Sequence, residues 1–313
     1  MKRPRPLRTA RRRLSALRRR ARSALLRRLF LPWRGQRAAV LRYAAVLDGQ
    51  TVNLHARLPR WAGPDDGARI ELLRKGVRRT APARVYTDHD GAVAMDAAIL
   101  LGQEVGGLAV DTGHWDIRLR LSEGARRKSL SLLLVDMPKP YGGPTRPMQV
   151  SGVTGARYRL GRTVTGSARL ECSPPSPMAE VVRIAVSHSE VEVFFRVVGA
   201  EPRGTRVEFV ASGRRLEEPV DRLDDGLFRV AAPLHRMTPR GDRPEQWDVV
   251  LRADGLPAMR LGRRLHDVRN PTRVFAVRES AVTGRDRTPL LVQPRYTPAG
   301  NFRIKCSPMT EAA

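Results

Sequence analysis

His114-Trp115-Asp116-Ile117-Arg118-Leu119-Arg120 alternates apolar and polar side chains, and Gln246-Trp247-Asp248-Val249-Val250-Leu251-Arg252 carries the same pattern later in the chain. A period of two is the signature of a β-strand, because successive side chains point to opposite faces of a sheet. An inner face starting at Trp and an outer face starting at Asp account for both stretches. The functional alternative makes Trp115 and Trp247 stacking platforms for a sugar or a base. The alternation favours structural core residues instead, with each Asp holding a turn or pairing an Arg.

The segments flanking these two stretches also match. Upstream, Ala68-Arg69-Ile70-Glu71-Leu72-Leu73-Arg74-Lys75-Gly76 matches Thr205-Arg206-Val207-Glu208-Phe209-Val210-Ala211-Ser212-Gly213. Asp90-Gly91 and Asp225-Gly226 each open an apolar run. Downstream, Asp136 and Pro140 match Asp267 and Pro271. Each copy then closes alike, in Leu170-Glu171-Cys172-Ser173-Pro174 and Ile304-Lys305-Cys306-Ser307-Pro308. Five matches in the same order indicate two diverged copies of one module, spanning 38–175 and 178–309. The Pro-rich run Ser173-Pro174-Pro175-Ser176-Pro177 reads as a stiff, extended linker. Thr51-Val52-Asn53-Leu54-His55-Ala56-Arg57-Leu58 and Val191-Glu192-Val193-Phe194 also alternate, and Gly, Pro and Asp punctuate the runs. The expected fold is therefore all-β: two tandem, immunoglobulin-like antiparallel β-sandwich modules of seven or eight strands each, preceded by a basic N-terminal helix.

Charge is concentrated in that helix. The chain of 313 residues has a net charge of +27, yet residues 1–37 hold 15 Lys and Arg and no acid, so only +12 is left for the rest. Leu7, Ala10, Leu14, Leu17, Ala21 and Ala24 recur at helical spacing and form one apolar stripe. Arg11, Arg12, Arg13, Arg18, Arg19 and Arg20 occupy the other faces, followed by an apolar end containing Phe30 and Trp33. A basic amphipathic helix of this kind suits the surface of an anionic membrane. Nucleic-acid backbone, a partner helix and a merely solubilising arm are the other readings. Arg27-Arg28-Leu29-Phe30-Leu31 looks like the core of a twin-arginine export signal. Pro32, Arg34, Gln36 and Arg37 interrupt the apolar segment that such a signal needs, so a cytoplasmic, membrane-peripheral protein is expected.

Chemistry-bearing motifs are sparse. Cys172 and Cys306 occupy equivalent positions without a recurring base and are expected to be buried structural thiols. His55, His89, His114, His188, His235 and His266 make no metal-ligand spacing. Asp65-Asp66, Asp88-His89-Asp90 and Asp224-Asp225 are pairs of the kind that hold a cation or act as acid and base, but each sits in a turn-like context that Asp favours for local hydrogen bonding. No phosphate loop or nucleophile elbow is present. The sequence assigns no catalytic residue, no cofactor and no metal. The remaining enzymatic reading places carboxylates such as Asp116 or Asp248 in a site between the modules.

The pattern Trp-Asp-[Ile/Val]-x-[Leu/Val]-Arg after an Asp-Gly turn and an apolar strand resembles the tandem β-modules appended to actinobacterial cell-wall polymer transferases of the teichoic-acid type. The resemblance covers 38–309 and implies an accessory module without transfer activity, since residues 1–37 leave no room for a catalytic domain. The leading expectation is a membrane-surface adaptor or accessory protein whose modules hold a protein or glycan partner.

The arm's stripe generates a direct test. The full chain should sediment with anionic vesicles and not with neutral ones, and Leu14→Ser with Leu17→Ser should abolish that binding. If polyanion binding survives these changes and falls steeply with salt, the arm belongs to nucleic acid instead.

Overall fold

Alternating sequences joined by turns form more than half of the chain. The structure, a computed structural model, describes residues 21, 23–26, 28, 37–65, 67–123, 126–136, 145, 148, 150–223, 226–283 and 289–309. It is nearly all β, with mostly antiparallel pairing, and it falls into two compact units. One unit takes the described residues up to Pro140 together with Arg157–Ser173. The other takes those of Tyr141–Ala156 and Pro174–Ala313. The described residues within 141–156, a stretch assigned by sequence to the first copy, thus group with the second unit.

The first unit contains β1 (Ala38–Val46), β2 (Thr51–Arg57), β3 (Arg69–Arg74), β4 (Val77–Pro82), β5 (Arg84–Thr87), β6 (Val93–Leu100), β7 (Gly113–Glu123), β8 (Arg126–Leu133), β9 (Arg157–Arg162) and β10 (Ala168–Ser173). They pair in the order β4-β3-β7-β8-β1-β2-β6-β5, with β10 joining β7 to β9. The second unit contains β11 (Met178–Val186), β12 (Val191–Val198), β13 (Arg206–Ala211), β14 (Arg214–Pro219), β15 (Asp221–Arg222), β16 (Leu227–Ala231), β17 (Glu245–Arg252), β18 (Met259–Arg260), a one-turn helix α1 (Pro271–Val274), β19 (Ser280–Thr283), β20 (Pro289–Tyr296) and β21 (Phe302–Pro308). Its sheets run β11-β12-β16-β15 and β14-β13-β17-β21-β20-β19, with β18 on β17. Ten and eleven strands among the described residues exceed the seven or eight expected per copy. The excess comes from short pieces such as β5, β15 and β18, which lack enough residues to show a period.

Strand for strand, the pairing repeats. The β3–β4 and β13–β14 hairpins close on Lys75-Gly76 and Ser212-Gly213, in which both turn residues have positive φ. Two left-handed residues match the twist of the flanking strands, and Lys75 and Ser212 are the only described non-glycine residues with positive φ. β3 and β13 then pair with β7 and β17, which pair in turn with β10 and β21. In the first unit β8 also pairs in parallel with β1. In the second, β18 has only two residues and the parallel link shrinks to one bridge, Glu180 to Gly262, so the sheets separate there.

The inner faces carry the burial. In the second unit Val193, Phe195 and Phe228 of one sheet join Phe209, Trp247, Val249 and Ile304 of the other in a single buried cluster. Phe195 and Phe228 stack with centroids 5.5 Å apart, a pairing that adds about 0.5–1.5 kcal/mol to their burial. Trp115 and Trp247 are completely buried, and so, nearly, are Cys172 and Cys306. Of the arm, Leu26 is buried against Ala38, Leu133 and Val135, and Ser23 donates to the Val135 carbonyl at 3.0 Å. Ala21 and Ala24 of the expected stripe are exposed. Leu14, Leu17, Arg11, Arg12, Arg13, Arg18, Arg19, Arg20, Phe30 and Trp33 lie outside the described residues.

One buried acid should leave a mark on stability. Glu180 accepts backbone N–H bonds from Arg264 and Leu265 at 2.9–3.1 Å, with Arg264 and Arg196 as its nearby cations. Burial nevertheless pushes its carboxyl above the ordinary 4.5. The folded state then holds this proton more tightly than the unfolded state, so the group's contribution to stability falls as pH rises above 4.5. Denaturant unfolding from pH 4 to 7 should show Glu180→Gln gaining on the parent protein as pH rises. A difference that stays flat with pH would contradict the assignment.

Candidate functional site

The site follows from one irregularity. In β1, Leu41 and Ala44 are both buried although three positions apart, which strict alternation forbids. A β-bulge at Arg42 resolves the conflict: Leu41 pairs with Ala56, Tyr43 with His55 and Ala44 with Leu54. β11 repeats it at Val182, with Val181 opposite Phe195 and Arg183 opposite Phe194. The shared bulge fixes which residues of the two copies are equivalent.

Immediately after the bulge, one row of outward side chains crosses four strands. In the first unit the row is Tyr43, His55, Asp96 and Arg84, on β1, β2, β6 and β5. In the second it is Arg183, Phe194, Arg229 and Asp221, on β11, β12, β16 and β15. The two rows satisfy themselves differently. Arg183 lies over the Phe194 ring, 3.9 Å from its centroid, and Phe194 is buried beneath it. Arg229 contacts Asp221 at 2.7 Å and Glu192 at 3.2 Å. In the second row the aromatic ring is therefore covered by Arg183, and the remaining charges pair with one another.

The first row is open. Tyr43 keeps 44% of its surface exposed and borders a depression of about 510 Å³ with Asn53, His55, Arg84 and Asp96. Asp96 orients the site: one carboxylate oxygen meets His55 Nδ1 at 2.7 Å, and the other accepts from the Tyr86 hydroxyl at 2.8 Å. That hydrogen bond holds the Tyr86 phenol above its ordinary 10.0. Using Nδ1 on Asp96 fixes the imidazole plane and turns Nε2 toward other partners. Arg84 stacks on Tyr86, with 5.4 Å from guanidinium carbon to ring centroid. Past His55 a second depression of about 140 Å³ is lined by Arg42, Arg57, Asp88 and Asp90. Together they offer an aromatic face, an amide, an imidazole and guanidinium donors along an open sheet surface. Among the described residues that line the two depressions there is no serine, threonine or cysteine.

The sequence-derived candidates lie elsewhere. Trp115 sits on the inner face, donates Nε1 to the Asp111 carbonyl at 2.9 Å, and carries the Arg74 guanidinium at 5.9 Å. Trp247 sits equivalently under Arg214 at 4.8 Å. Asp116 pairs with Arg169 at 2.9 Å and Asp248 with Arg303, so neither carboxylate is a free base. Burial pushes the Cys172 and Cys306 thiols up to about 12, which keeps them protonated and unreactive at neutral pH. Asp65 accepts from the Gly67 and Ser122 amides, and Asp90 from Ala92, as turn residues. Among the described residues no His, Cys, Asp and Glu cluster has metal-binding geometry. His55 was visible only as one of six histidines. Its alternating strand puts it on the polar face, but its partners come from strands about forty residues away.

No family model matches this chain, and no curated protein matches it. Among solved structures it is distantly similar to S. aureus TarS. A structure of TarS residues 217–571 aligns at 9% identity and a TM-score of 0.33, covering 61% of this chain and 54% of that one. A second TarS structure aligns at the same identity and TM-score, covering 61% of this chain and 34% of its own. The plexin A4 extracellular region aligns at 10% identity and a TM-score of 0.19, over 89% of this chain and 32% of that one. This chain thus spans about half, or a third, of the TarS structures it resembles.

Proposed function

We propose that this protein is a non-catalytic accessory protein whose first unit holds a hydroxyl-rich ligand, a glycan or related polyol, on its outer sheet face. The observation that carries the reading is a difference between the two equivalent rows: Tyr43 stays 44% exposed beside the His55–Asp96 pair and a depression of about 510 Å³, whereas Arg183 covers the buried Phe194 in the second row. A sugar presents C–H faces that pack on an aromatic ring and hydroxyls that both donate and accept. Tyr43 suits the first, and Asn53, His55 Nε2 and Arg84 suit the second. Two adjoining depressions meeting at His55 suit an extended chain better than a single small molecule. The resemblance to modules of cell-wall transferases makes an envelope polymer, or an intermediate of one, the first ligand to consider. The basic arm adds attachment to an anionic membrane surface from the cytoplasmic side. Among the described residues, no helix is long and apolar enough to cross a membrane.

An array of neutral and charged oligosaccharides, followed by calorimetry on the best binder, tests the reading. Tyr43→Ala and Asp96→Asn should each weaken binding about tenfold or more, a loss of about 1.4 kcal/mol. Melting should be unaffected because both side chains are exposed. Unchanged affinity in Tyr43→Ala, or release of product from the bound sugar, would contradict it.

A further inference from the structure

The outer face of the second unit's larger sheet carries a separate charged site. Glu208 on β13 is buried, with 6% of its side chain exposed, and two arginines hold it. Arg252 donates Nε to it at 3.0 Å and Arg215 donates a terminal nitrogen at 3.3 Å. One strand over, Asp248 is paired by Arg303 and approached by Arg260 at 3.9 Å. Glu208, Asp248, Arg215, Arg252 and Arg260 line a depression of about 260 Å³. Four guanidinium groups therefore surround two carboxylates, and the surplus is positive.

The first unit keeps the same framework. Glu71 is equally buried and contacts Arg120 at 3.0 Å and Arg78 at 3.5 Å, and Asp116 pairs with Arg169. The position of the extra cation differs. Arg118 of β7 faces Ser131 of β8, whereas the equivalent Val250 of β17 faces Arg260 of β18. The buried Glu and outward Asp pairs are thus common to both units, and Arg260 is the second unit's own addition.

We propose that the depression beside Glu208 binds an oxyanion, a phosphate or a carboxylate, through Arg215, Arg252 and Arg260. Glu208 is a positioning residue: it commits one nitrogen of each of two guanidiniums and fixes their planes, leaving further N–H donors toward the depression. Preset arginines lose less freedom when they close on an anion, and a guanidinium offers the paired donors that a phosphate or carboxylate accepts. This site is independent of the first unit's ligand row, so either proposal survives failure of the other.

The experiment is an NMR titration of the full chain with inorganic phosphate and, in parallel, with citrate, following the arginine Nε–H signals. The arm also attracts anions, so the readout must be resolved by residue. The signals of Arg215, Arg252 and Arg260 should shift saturably, and the anion that saturates them at lower concentration identifies the source. Arg260, with 55% of its side chain exposed, can be changed without unfolding the sheet. Arg260→Glu should weaken binding at least tenfold, whereas Arg240→Glu, a loop change of equal charge, should leave it unaltered. If none of the three signals saturates with either anion, or if the two variants weaken binding equally, the site does not exist.

Discussion

One extra residue in the first strand of each unit sets the geometry of everything around it. Without the bulges at Arg42 and Val182, strict alternation would turn either Leu41 or Ala44, and either Val181 or Ile184, out of the core. With them, the inner face stays apolar across the bend, and the strand emerges with an outward row aligned over four strands. The core and the candidate site are two faces of this single register. That is why the inner row can exchange Ala56 and Met95 for Phe195 and Phe228 while the outer row diverges independently.

Two units with matching strand pairing show which features recur and which differ. Both copies retain a buried Trp under an Arg, an outward Asp paired with an Arg, and a buried Glu between two Arg residues. The exposed Asp–Arg pairs contribute at most about 1 kcal/mol each. The buried carboxylates matter more, because losing their partners would leave an uncompensated charge inside the sheet. The row after the bulge is under no such constraint. In the second unit it is filled by a stacked arginine and an ion pair. In the first it presents Tyr43 exposed beside the His55–Asp96 pair at the edge of a depression, and that exposed aromatic ring next to ordered polar groups is the physical basis for assigning binding there.

Much of this architecture can be read from the residues. The alternation in 115–121 and 247–251, the Gly turns after Lys75 and Ser212, and the paired closing segments around Cys172 and Cys306 point to repeated β-units because each signal is local. The row could not be read, for the opposite reason. Tyr43, His55, Asp96 and Arg84 come from four strands and meet only through a register set by a bulge, and Ala38–Val46 shows two adjacent exposed residues in place of an alternating pattern. The grouping of the described residues within 141–156 with the second unit is likewise a tertiary fact with no composition signal. The arm's pattern is strong in sequence, but the part of it described, at Leu26, is anchored by a residue off the apolar stripe.

The central claim is that the open row of the first unit is what binds, and that the closed row shows what inactivity looks like on the same scaffold. Transplanting the second row onto the first tests it most directly: Tyr43→Arg, Asn53→Glu, His55→Phe, Arg84→Asp and Asp96→Arg together in the full chain. The account predicts a protein with the parent's circular dichroism and melting behaviour that no longer retains any oligosaccharide bound by the parent. A folded transplant that binds as tightly as the parent would show that the ligand lies elsewhere, and that the difference between the rows is drift rather than function.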